Sequence, residues 1–205
     1  AGIPWKWISP LVFAAVGIIG ALLVFGDTLC QKDQVWPLLR EYQKHRVCTM
    51  LNPTSDPLGK GFHIIQAMIA IGSGGLWGKG WGMGSQTQLD FLPERHTDFI
   101  FAVLAEELGL VGALALLFIY IALVLRGISI ALYTKDRFGR YVAGSLTLSI
   151  FSYAFVNMGM VTGMLPVVGV PLPFMSYGGT AMVILCISLG ILMSIAHSQT
   201  AARND

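Results

Sequence analysis

The run Phe91-Leu-Pro-Glu-Arg-His-Thr-Asp-Phe-Ile-Phe101 leads directly into an apolar stretch that begins at Phe99. An ionisable residue at the mouth of a membrane-length segment costs free energy unless it has a partner or a task. Asp98 is therefore the first candidate for chemistry. Pro93 suits the first turn of a helical start, and Thr97 can cap the helix that follows. Asp98 would then sit at the positive end of that helix, which favours its ionised form. Steps of four and three residues from Asp98 reach Ala102, Ala105, Gly109 and Gly112. A face of small residues lets another helix approach closely, so Asp98 is expected to point into a bundle. The plainer alternative is an interfacial carboxylate paired with Arg95 for folding alone. Glu106 and Glu107 lie about two turns deeper, where an acidic pair is expensive. Structural pairing with polar groups of other helices is expected for them ahead of catalysis.

Two further segments frame this cluster. Gly72–Gly84 holds seven glycines in thirteen residues, with Trp77, Lys79 and Trp81 among them. It is not a nucleotide loop: Gly78-Lys79 is followed by Gly80 instead of Ser or Thr, and Ser73 stands where the first glycine belongs. What remains is either a set of simple turns or a tight loop whose N–H groups meet an anion such as a pyrophosphate. Leu165–Gly179 is apolar yet contains three prolines, so it cannot be a continuous helix. Irregular backbone at membrane depth survives only when buried in protein or lining a cavity. That makes the segment a candidate cavity wall, with Ser176, Tyr177, Gly178 and Gly179 as its polar end. The four histidines show no ligand geometry, and only His96, near Asp98, merits a test as a metal ligand.

These groups must be positioned by membrane-spanning elements. Of the 205 residues, 55% are hydrophobic and 12% charged, against about 25% charged in soluble domains. Mean hydropathy is +0.68. The chain is expected to be an all-α, polytopic integral membrane helix bundle. Its net charge of +2 is too small to suggest a nucleic-acid partner. Four stretches qualify as transmembrane helices: Ile8–Phe25, Phe99–Leu125, Tyr141–Val161 and Gly178–Ala196. The connection 126–140 carries four basic residues and one acid, which places it in the cytoplasm. The connection 162–177 is uncharged and suits the outer face. Both chain ends are then cytoplasmic, and the long loop 26–98 is extracytoplasmic. Its bases and acids nearly balance, and loops beyond about 60 residues largely escape the positive-inside rule. Within it, Phe62–Ile71 is apolar with Gln66 embedded, consistent with a short helix lying on or dipping into the membrane. Cys30 and Cys48 could pair if this loop faces an oxidising compartment, and the sequence leaves open whether they do. The chain starts without Met or a signal-peptide layout and reads as a piece of a longer protein, with 1–205 a single membrane domain.

Gln66-Ala-Met-Ile-Ala-Ile-Gly-Ser-Gly-Gly75, Gly78-Lys-Gly80, Phe91–Gly109 and Pro166–Gly179 together resemble the SEDS family, the RodA/FtsW/SpoVE polytopic proteins of bacterial cell-wall synthesis. The match runs through nearly the whole chain, and the Leu-Pro-Glu-Arg-His-Thr-Asp-Phe run is its most specific part. Val167–Pro171 and Glu94-Arg95-His96 are similar to the elongation branch, RodA, more than to the division branch. Ala67 departs from the Ser usual after the Gln, which puts in doubt a polar contact there.

The resemblance implies a peptidoglycan glycosyltransferase of about ten helices that polymerises lipid II, acts in cell elongation and works with a class B penicillin-binding protein. This chain would be its C-terminal part, inactive alone, in the bacterial inner membrane. The family's essential aspartate falls on Asp98. Lipid II carries its sugar on a pyrophosphate, already a good leaving group, so one carboxylate to deprotonate the incoming 4-hydroxyl could suffice. Asp98 is thus expected to be the general base of an inverting transfer that forms a β-1,4 link. Arg95 and Lys79, with a divalent cation (Mg2+ or Mn2+), would stabilise charge on the pyrophosphate. Glu94, Gln66, Ser176, Tyr177, Gly178 and Gly179 are the other expected substrate-binding residues. Two readings from other classes stand beside this one: a lipid II flippase or transporter, and a non-catalytic scaffold for the wall-building machinery.

Overall fold

The computed structural model describes residues 40–55, 59–88 and 96–204, together with a few isolated positions nearer the start. Among the described residues all regular structure is helical: α1 (Glu41–Leu51), a 3-10 turn (Pro53–Ser55), α2 (Lys60–Ser73), α3 (Ser85–Gln88), α4 (Ile100–Tyr133), α5 (Arg137–Val161) and α6 (Gly179–Asn204). The expected span Ile8–Phe25 lies mostly outside the described residues. The chain divides into two compact units, residues 1–62 and 63–205.

In the first unit the Gln43 side chain accepts a hydrogen bond from the Arg40 backbone N–H, which starts α1. A disulfide joins Cys48 of this helix to Cys30, with the Cα atoms 5.6 Å apart. That answers the question the sequence left open.

The second unit is built on α4, α5 and α6. Among the described residues three helices are long and apolar enough to cross a membrane: Ile100–Tyr133, Arg137–Val161 and Gly179–Ser198. The chain is a multi-pass membrane protein. The expected connection 126–140 contracts to Thr134–Asp136, because nothing in Gly127–Tyr133 stops a helix and Arg126 can extend toward a polar surface from a helical position. Asp136 then starts α5 by accepting from the Gly139 N–H at 2.8 Å. Arg140 donates twice to the Thr134 carbonyl, at 3.2 and 2.9 Å, and so closes the end of α4. Helices α4 and α5 approach closely at Gly127, where a Cβ would lie 2.3 Å from Thr147 Oγ1. Ala143 and Ile150 of α5 pack with Leu185 and Leu192 of α6.

Helix α4 is interrupted. Gly109 has φ 67° and ψ −163°, which leaves backbone groups on both sides without helical partners. The loop after α2 supplies them. The Lys79 and Gly80 N–H groups donate to the carbonyls of Glu106 and Glu107, and the Leu110 and Val111 N–H groups donate to Gly75 and Leu76. Only glycine allows this contact: a Cβ on Gly78 would lie 2.1 Å from the Glu107 carbonyl oxygen. The small face expected to receive another helix is therefore met at Ala105 by the glycine loop, since a Cβ on Gly74 would lie 2.1 Å from that residue's carbonyl oxygen. The amides of Lys79 and Gly80, considered above for an anion, are committed to the broken helix.

Residues 162–178 contain no helix, as their prolines require. Val167 and Leu172 are buried with Ile64, Phe99 and Phe101, while Phe174 packs toward α5 and α6. Phe174 adopts φ 62°, a region a non-glycine residue occupies only when its surroundings enforce it.

Candidate functional site

Asp98 lies on the turn 96–99 that leads into α4, and the turn is held through its carbonyls. The His96 carbonyl accepts from the Tyr177 N–H at 2.9 Å. The Thr97 carbonyl accepts from Ser176 Oγ at 2.5 Å, while the Leu172 N–H donates to the same hydroxyl at 2.7 Å. The Asp98 carbonyl accepts from Asn157 Nδ2 at 2.9 Å. The proline-broken segment and one residue of α5 thus clasp the turn. Thr97 is not the cap: Phe99 is the N-cap of α4 and no side chain bonds there. Phe99 is buried, against His63 of α2 with ring centroids 6.2 Å apart.

The Asp98 carboxylate is partly buried. Its Oδ2 lies 3.2 Å from where a Cβ on Gly169 would stand, and Gly169 has φ +81°. Glycine is needed there both for its conformation and for the room it leaves. A carboxylate is a group that can take a proton from a hydroxyl within hydrogen-bond reach, and here its backbone is fixed by the clasp.

The other expected site residues fall in different places. Ser176 and Tyr177 belong to the clasp; the Tyr177 side chain itself is exposed. The Gly178 carbonyl accepts from the Met182 N–H, and Gly179 begins α6. Gln66 is half-buried on α2. Lys79 forms an ion pair with Glu106 at 2.8 Å, with Glu106 fully buried and Lys79 28% exposed. Ser85 Oγ and the Gln86 N–H also donate to that carboxylate, at 3.2 and 3.0 Å. The described partners of Glu106 come from the short helix α3, in line with the expected pairing to polar groups of other helices, and from the glycine loop. Glu94 and Arg95 lie outside the described residues. Among the described residues no three His, Cys, Asp or Glu side chains cluster as metal ligands.

A groove of about 440 Å³ runs between α4 and α5, lined by Phe101, Tyr120, Phe151, Ala154 and Met158 among others. Its Phe101 wall begins three residues after Asp98. Tyr120 turns its hydroxyl away to donate to the Pro173 carbonyl at 2.5 Å, so a polar group on α4 also braces the proline segment.

A family model described as cell cycle protein, that of FtsW, RodA and SpoVE, matches residues 1–201. The chain belongs to the FtsW/RodA/SpoVE family. It is 55% identical over 195 residues to the peptidoglycan glycosyltransferase MrdB of Escherichia coli (strain K12), covering 95% of this chain and 50% of that protein. It is 44% identical over 156 residues to the stage V sporulation protein E of Bacillus subtilis (strain 168), covering 76% and 42%. A solved structure from work on the structural coordination of polymerization and crosslinking by a peptidoglycan synthase complex superposes with a TM-score of 0.68 at 34% identity. That superposition covers 97% of this chain and 51% of the solved one. The chain spans about half the length of the family relatives it matches.

Sequence reasoning missed Asn157 and Gly169. Asn157 is an amide in an uncharged span and drew no notice in a reading keyed to ionisable groups. Gly169 stood among the prolines without any sign of which side chain it faced.

Proposed function

We propose that the whole protein is a peptidoglycan glycosyltransferase that polymerises lipid II during cell elongation, with Asp98 as its general base. The observation that carries this reading is the clasped turn that holds Asp98 at the entrance of α4, beside Gly169. The relatives named as peptidoglycan glycosyltransferases support the reaction class. In the proposed step Asp98 takes the proton from the acceptor's 4-hydroxyl as that oxygen attacks the anomeric carbon of the donor sugar. The sugar–phosphate bond breaks, the lipid pyrophosphate leaves with its electron pair, and inversion gives the β-1,4 link.

The apolar groove that starts at Phe101 supports a lipid-linked substrate. Arg95 is the proposed cation for the pyrophosphate. Lys79 would join it only by sharing its ammonium with Glu106. A divalent cation (Mg2+ or Mn2+) is the proposed cofactor; Mg2+ commonly binds through one or two carboxylates and substrate phosphates, and Asp98 would be the carboxylate that meets it. When bound, it would offset charge on the leaving pyrophosphate.

A class B penicillin-binding protein is the proposed partner, supported by the synthase complex to which the fold is similar. The proposed membrane is the bacterial inner membrane, with both ends of this chain cytoplasmic. The Cys30–Cys48 bridge supports an extracytoplasmic position for the 26–98 loop. The test is consumption of lipid II by the full-length protein, purified in detergent with its partner. Glycan chains are the expected product. A well-folded complex that leaves lipid II intact would point to transport or scaffolding instead.

A further inference from the structure

We propose that Asn157 is a positioning residue for the reaction assigned above to Asp98, an inference that rests on that glycosyltransferase reading. Asn157 is fully buried on α5. Its Nδ2 donates to two carbonyls at once, that of Asp98 at 2.9 Å and that of Val170 at 2.7 Å. One side chain therefore joins three pieces of the chain: the α5 helix, the turn that carries the carboxylate, and the proline segment.

The second contact matters as much as the first. Val170 directly follows Gly169, the residue whose missing Cβ leaves room for Asp98 Oδ2. By holding the carbonyls of Asp98 and Val170 on one amide, Asn157 sets the carboxylate and the wall beside it in a common register. Its orientation is fixed, because a flipped amide would turn its oxygen toward two other acceptors.

Stability alone explains this residue poorly. Asn157 Oδ1 is buried without a hydrogen-bond partner among the described residues, which offsets part of what the two bonds of Nδ2 contribute. The turn also has independent support from Ser176 and the Tyr177 N–H. Removing Asn157 should therefore shift the turn without dissolving it. A displacement of about 1 Å in a reacting group can cost on the order of 100-fold in rate.

The experiment uses the full-length protein with its penicillin-binding partner and measures kcat and KM on lipid II. Asn157→Leu keeps the branched shape with larger methyl groups and removes both donors; Asn157→Thr is smaller and keeps a hydroxyl that can reach one carbonyl. The expected result for Asn157→Leu is a kcat reduced about 10- to 100-fold, with KM within about twofold of wild type and a monodisperse complex. Asn157→Thr should recover part of the loss. Wild-type kcat in the folded variants, or a loss confined to KM, overturns the proposal while leaving the glycosyltransferase reading intact. If Asn157→Leu does not fold, Asn157→Thr decides by the same criterion. A wild-type complex that makes no glycan overturns both together.

Discussion

Asp98 combines two properties that usually conflict, partial burial and a fixed backbone, and the clasp explains how. Its turn is held by backbone carbonyls that accept from Asn157, Ser176 and the Tyr177 N–H. Ser176 carries much of that load because its hydroxyl both accepts from Leu172 and donates to Thr97. Ser176→Ala leaves two backbone groups without their partner, at about 1–3 kcal/mol for each one that stays buried. A lower thermal midpoint and slower glycan synthesis are expected; an unchanged midpoint would show that the clasp is not needed. Tyr177→Phe should not alter the midpoint, since the side chain is exposed and the backbone N–H does the holding. Asp98 was legible in the sequence because a carboxylate at the mouth of an apolar segment needs a reason. Asn157 was not, because a neutral amide in a span gives no such signal. Thr97 misled as a cap because the capping rule is local, whereas its carbonyl is captured by a residue 79 positions away.

At the scale of elements, the break in α4 at Gly109 and the glycine loop that fills it form one unit. Composition announced a tight loop in Gly72–Gly84, but nothing local could announce that its amides would serve a distant helix. The contact predicts a sharp contrast among glycines. Gly78→Ala and Gly109→Ala combine a positive φ with a forced backbone collision, and each should destabilise by more than about 1–3 kcal/mol. Gly72→Ala meets nothing within 4 Å at the end of α2 and should be neutral or stabilising by about 0.5 kcal/mol. Similar midpoints for all three would refute the contact between the glycine loop and the broken helix. The adjoining ion pair predicts an asymmetry. Lys79→Met takes the cation from a fully buried carboxylate, leaving it the Ser85 hydroxyl and the Gln86 N–H, and should cost about 3 kcal/mol. Glu106→Gln leaves a lysine that can still reach water, and should cost less. Equal unfolding midpoints for the two variants would contradict the pairing.

For the molecule as a whole, apolar length made the three long helices and the all-helical class legible. The short α4–α5 turn was not, because the basic residues of 126–140 were read as a connection where the helices simply continue. The disulfide was open in sequence because pairing depends on the compartment and on a geometry that spacing does not fix. Reducing Cys30–Cys48, which closes an 18-residue separation, should lower stability by about 3 kcal/mol; an unshifted midpoint under reductant would argue against the bridge. This chain spans about half of its relatives' length, so residues 1–205 alone are expected to make no glycan, and polymerisation by them would refute that view. The most direct test of the account compares wild type with Asp98→Asn in the full-length complex on lipid II. The account predicts that Asp98→Asn folds and binds substrate but polymerises at least about 100-fold more slowly. Equal glycan from the two proteins would contradict it and remove Asp98 from the chemistry.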